Sequence, residues 1–100
     1  MDAVKVTWDP AKDLANQRKH GISFKEAAEL FSHDVNYLEI FDEAHSAIED
    51  RFIAIGPIRG GMVLVVWTEQ NEETLRVISA RWATRPEQRL YHSYLEGSDE

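Results

Sequence analysis

The sequence predicts an α+β fold in which an antiparallel sheet carries two N-terminal helices and one C-terminal helix, in the order β-α-α-β-β-β-β-α. Three observations predict it. Two capped helical stretches follow one another in the first third of the chain. The apolar pattern then changes from helical to alternating at residue 35, and a third capping pattern, Thr84 with Glu87, follows the last alternating run. At 100 residues the chain reads as one domain over 1–100, with room for a real but thin core.

The first segment, VKVTW (4–8), is alternating and β-branched, as a short strand requires. Asp9 and Pro10 then supply an N-cap and a first helical position, and the helix runs to His20 with Gly21 past its end. At about 100° per residue, Lys12, Asn16 and Lys19 form one polar stripe with His20 beside it, while Ala11, Leu14 and Ala15 turn inward. Ser23 and Glu26 make a capping box for a second helix to about Ser32, with Ile22 and Ala27 as a hydrophobic staple and Phe24, Ala27, Ala28 and Phe31 facing the core. Four strands follow: VNYLEIF (35–41), RFIAIGPI (51–58), MVLVVWTE (62–69) and TLRVISARW (74–82). Short loops join the last three into an antiparallel meander. Arg85 and Pro86 open a final helix to about Leu95, and the helices gather at one face of the sheet.

Charge is distributed unevenly. The net charge of −7 argues against a nucleic-acid ligand. Yet residues 5–25 carry five Lys or Arg against two acids, residues 26–50 carry eight acids and no Lys or Arg, and residues 76–89 carry four arginines against one acid. Two basic segments flanking an acidic one suit a chain with one positive and one negative surface, or simply a solvated mixture. With no cysteine, no apolar run long enough to span a bilayer and no apolar signal segment, the expectation is a cytoplasmic protein without disulfides or a membrane role.

The segment RVISARWATRPEQR (76–89) poses the chemical question. Arginine forks bind phosphate oxygens in two places and do not lose their proton. Arg81 ends a strand, and Arg85 and Arg89 follow one turn apart on the last helix. Arg76 faces away from Arg81 in a regular strand, because side chains five apart alternate sides. Either a bulge realigns the two, or one of them serves packing or a structural ion pair.

Four segments, WDPAK (8–12), NQRKHGISF with the following EAAELF (16–31), RFIAIG (51–56) and RVISARWATRPEQRLY (76–91), resemble the BrnT family of bacterial type II toxin–antitoxin toxins. The resemblance implies a RelE-like fold and an endoribonuclease that arrests growth by cutting RNA. It further implies neutralisation by a cognate ribbon-helix-helix antitoxin, with operator DNA bound only through that antitoxin.

Metal-independent RNA cleavage requires a base for the 2′-OH, cations for the charge on phosphorus and an acid for the leaving 5′-oxygen. His20 is the candidate acid or base with Arg76 and Arg81 as charge-holders, and Lys12, Lys19, Arg85, Arg89 and Trp82 are the candidate RNA contacts; no metal or cofactor is called for. Each residue also has a bland role. His20 before Gly21 is a common helix terminator, arginines and lysines pair or solvate, Trp8 and Tyr91 suit a core, and Ser79 shares the strand face of Arg81 without a local base. A rival site would use His33, Asp34, Asp42, Glu43, His45, Glu49 and Asp50 as metal ligands, although their spacing matches no known loop. A non-enzymatic alternative is a binding module whose acidic surface docks a basic partner.

Overall fold

The computed structural model describes residues 4–32 and 35–97. A five-stranded sheet is built from β1 (Lys5–Thr7), β2 (Leu38–Phe41), β3 (Arg51–Ile58), β4 (Gly61–Asn71) and β5 (Thr74–Trp82), in the spatial order β1-β5-β4-β3-β2. The last three strands form the expected meander, with β2 antiparallel to β3. The sheet is mixed rather than antiparallel, because β1 pairs parallel to β5 after the chain crosses over through its helices. Three helices, α1 (Pro10–His20), α2 (Phe24–Ala27) and α3 (Arg85–Leu95), complete the fold.

The helices do not share one face, contrary to the sequence expectation. One core layer joins Phe24 and Ala27 of α2 with Val63, Val65 and Trp67 of β4 and Leu75, Val77 and Ala80 of β5. A second layer joins Tyr91 of α3 and Ala83 with Ile55 of β3 and Leu64 of β4. Alternate residues of β4 thus feed opposite layers, which is why MVLVV reads as continuously apolar. Each large side chain so buried contributes on the order of 1.5–3 kcal/mol.

α2 is shorter than predicted. Its capping box forms as expected, with the Ser23 hydroxyl accepting from the Glu26 N–H and the Glu26 carboxylate accepting from the Ser23 N–H. After Ala27 the chain tightens into a 3-10 turn, Ala28–Phe31, which delivers Leu30 and Phe31 into the core. Glycine in β3 permits this approach: a Cβ at Gly56 would lie 2.7 Å from Leu30 Cδ1 and 3.0 Å from Tyr37 Cβ. β2 begins three residues later than expected, at Leu38, and the Asn36 carbonyl instead accepts from the Tyr91 hydroxyl at 2.7 Å. No helix among the described residues is long and apolar enough to cross a membrane.

α1 is rotated relative to its predicted orientation. Asn16 is buried, whereas Leu14 is half-exposed. The reason lies in β5: β1 pairs only with Thr74, Leu75 and Arg76, so the rest of that edge needs other partners. The Asn16 amide donates to the Ala80 carbonyl at 2.8 Å and to the Ile22 carbonyl at 3.0 Å, and its oxygen accepts from the Ala80 N–H at 3.1 Å. Asp13, one turn earlier, accepts from the Phe24 N–H at 2.8 Å and fixes the angle between α1 and α2.

Candidate active site

The ladder between β4 and β5 resolves the Arg76 question. Val77 lies opposite Trp67 and Ser79 opposite Val66, which leaves Ile78 as an extra residue in β5. This bulge restores phase: Arg76 is opposite Thr68, Ser79 opposite Val66 and Arg81 opposite Leu64. All three partners sit at even positions of β4, so Arg76, Ser79 and Arg81 point to one face. Arg51 of β3 is also opposite Thr68, which puts Arg51 and Arg76 on either side of that threonine.

On this face lies an open cleft of about 380 Å³, lined by Asp42, His45, Arg51, Ile53, Leu64, Val66, Ile78, Ser79, Arg81 and Glu87. Its cations are held by carboxylates. Arg81 donates from Nη1 to Glu87 Oε1 at 2.9 Å and from Nη2 to Glu87 Oε2 at 2.7 Å. Glu87 is fixed in turn by the capping box of α3, accepting from the Thr84 N–H at 2.8 Å. The hydrogen bond from Arg81 lowers the Glu87 pKa to about 2, and that bond also raises the Arg81 pKa above its ordinary value. Beyond the cleft, Glu49 bridges Arg76 at 2.9 Å and Arg51 at 3.5 Å.

These ion pairs leave donors free. A guanidinium carries five N–H groups. Arg81 directs two at Glu87 and one at the Trp82 carbonyl. Its Nε–H and one Nη2–H have no acceptor among the described residues. The Nε–H of Arg51, shielded from solvent, has no acceptor among the described residues. Buried donors without a protein or water partner are uncommon.

The histidine that lines this cleft is His45, whereas His20 is not among its lining residues. His45 stands on a 3-10 turn, Glu43–His45, and its Nδ1 lies 3.1 Å from Asp42 Oδ2. A carboxylate on Nδ1 fixes the ring and leaves Nε2 for chemistry. His45 is exposed, whereas Asp42 is largely covered. Among the described residues, no three His, Asp or Glu side chains come together as a metal-ligand group. Of the rival metal set, His33 and Asp34 lie outside the described residues.

Other predicted residues fall elsewhere. His20, Lys12 and Lys19 surround a separate opening beside α1. Arg85 and Arg89 are exposed on α3 and do not line the cleft. Trp82, next to Arg81, pairs with Val63 and so faces the opposite side of the sheet, over Gly60 and Gly61. Trp67 is core, stacked on Phe52, and Trp8 meets Phe24 edge-on. Arg51 and Glu87 read in the sequence only as a strand residue and a helix-capping residue. The D-x-x-H spacing of Asp42 and His45 was visible, but only as part of a metal set. The Arg51–Thr68–Arg76 row exists only in the register of three strands.

Known proteins resemble this chain in sequence and in fold. A family model described as the ribonuclease toxin, BrnT, of type II toxin-antitoxin system matches residues 8–87, a span that contains every cleft residue. The chain is also similar to the crystal structure of the Brucella abortus ribonuclease toxin, BrnT. The TM-score is 0.59 at 28% identity, over 82% of this chain and 99% of that one. No curated relative matches.

Proposed function

Because the chain belongs to the BrnT family of type II toxin–antitoxin ribonuclease toxins, we propose that it is a metal-independent endoribonuclease acting at the arginine cleft. The observation that carries this reading is the bulge at Ile78, which aligns Arg76 and Arg81 on the face that also holds Arg51 and the His45–Asp42 pair.

In this mechanism the His45 Nε2 takes the proton from a ribose 2′-OH. The 2′-oxygen bonds to the adjacent phosphorus, the bond from phosphorus to the 5′-oxygen breaks, and a protonated imidazole returns a proton to that oxygen. The products are a 2′,3′-cyclic phosphate and a 5′-OH. Negative charge building on the non-bridging oxygens is met by the unused N–H groups of Arg81, with Arg51 and Arg76 adding positive potential. Asp42 holds the tautomer of His45, and Glu87 holds the plane of Arg81. The dependence on the 2′-OH leaves DNA uncut.

Family membership carries an antitoxin partner with it. In our reading that partner is a ribbon-helix-helix protein that covers the cleft, and growth arrest follows when it is lost. In the same reading the fold is RelE-like, with α3 on one face of the sheet.

The test is incubation of the purified protein with RNA in EDTA, followed by analysis of the product ends. Cleavage that persists and leaves cyclic phosphate ends supports the mechanism. Cleavage abolished by EDTA points to a metal site instead, and binding or growth arrest without cleavage points to a non-catalytic module.

A further inference from the structure

The opening beside α1 has a wall in common with the arginine cleft. It measures about 220 Å³ and is lined by Lys12, Ala15, Asn16, Lys19, His20, Ile78 and Ser79. Ile78 and Ser79 line the cleft as well, so the two openings meet at the bulge. Asn16 sets this arrangement: by pairing with both backbone groups of Ala80, it draws α1 against the strandless edge of β5. The cations of α1 therefore come to the border of the catalytic face, although they lie far from it in sequence.

The two openings differ in charge. Glu87 lines the arginine cleft and ties up part of its positive charge, and Asp42 adds a second carboxylate to its lining. Around the α1 opening stand two lysines and a histidine, and no carboxylate among the described residues lines it. Lys12 and Lys19 lie seven positions apart, about 10 Å along a helix axis at ~1.5 Å per residue. Two separated point charges suit an extended polyanion better than one isolated phosphate.

Resting on the ribonuclease reading of the cleft, we propose that the α1 opening is a second phosphate subsite for the same single-stranded RNA. The strand crosses β5 at the bulge, with the scissile phosphate in the arginine cleft, a neighbouring phosphate against Lys12 and Lys19, and the Ser79 hydroxyl between them. A substrate that fills both positions needs two phosphates and so at least three nucleotides. A dinucleoside monophosphate fills only the cleft.

The experiment compares full-length protein with a Lys12→Gln/Lys19→Gln double variant on a dinucleoside monophosphate and on an RNA decamer with the same cleaved step. Both lysines are exposed, so the fold is not at risk. The expected wild-type preference in kcat/KM for the decamer is about tenfold or more, lost in the double variant through KM, with the salt slope falling by about one per lysine. A decamer preference and salt slope retained by the double variant would overturn the subsite. If wild type cuts neither RNA, the ribonuclease reading itself fails. Fluorescence anisotropy of an uncleavable 2′-O-methyl decamer then decides the subsite: weaker binding by the double variant supports it, and equal binding overturns it.

Discussion

Arg81 and Glu87 lie face to face, joined by two parallel contacts of 2.9 and 2.7 Å between the end of β5 and the first turn of α3. The pair does two things at once. It locks the first turn of α3 to the sheet, and it fixes the guanidinium plane while leaving two N–H groups for a ligand.

This pairing makes stability depend on pH in a definite direction. The Glu87 pKa is lowered from 4.5 to about 2 in the folded state. Its contribution is therefore fully present above pH 4.5 and disappears as the pH falls through about 2. Because 38% of the Arg81 side chain remains exposed, solvent screening limits the pair to about 1 kcal/mol. Glu87→Gln keeps an acceptor for the Thr84 N–H and should lose about that amount at neutral pH. Urea unfolding of both proteins across pH should show the gap closing toward the acid end.

Asn16 closes the open edge of β5 and has no substitute there. Asn16→Ala leaves the Ala80 N–H and two carbonyls without partners in a buried setting, at a cost of about 2–4 kcal/mol. A lower denaturant midpoint with an unchanged m-value is the expected result, and loss of the α1 phosphate subsite should accompany it.

Gly56 is demanded by packing rather than by backbone conformation. Gly56→Ala drives a methyl to 2.7 Å from Leu30 Cδ1 and 3.0 Å from Tyr37 Cβ, so the buried Leu30 side chain or the chain at Tyr37 must give way. The expected destabilisation is about 1–3 kcal/mol. Thermal unfolding measures it, and an additional Leu30→Val change should recover part of the loss.

In the proposed mechanism Asp42 acts through His45. Asp42→Asn removes the carboxylate that orients the ring and should lower kcat about 10- to 100-fold with little change in KM. An unchanged kcat in the folded variant would assign Asp42 a purely structural part.

Much of the fold was legible in the sequence because local signals agreed with the final packing. The capping boxes at Ser23 and Thr84 form, and RFIAIGPI and TLRVISARW span β3 and β5 as expected. What the sequence did not show depends on partners distant along the chain. Asn16 looks solvated on a helical wheel and is buried only because β1 is too short to cover β5. The bulge at Ile78 was foreseen only as one of two possibilities, since nothing in VISAR marks it. Charge clustering marks the segment but not its geometry: Arg76 and Arg81 share the face of the arginine cleft, whereas Arg85, Arg89 and Trp82 do not line it. His45 was hidden among acids, and Arg51 among strand residues.

The most direct test of the central claim is the single-turnover rate of RNA cleavage by Arg81→Ala beside the wild type, in EDTA, with circular dichroism on both. The account predicts a loss of about 10²–10³-fold in rate with the sheet and helices retained. A folded Arg81→Ala protein that cuts at the wild-type rate would contradict it.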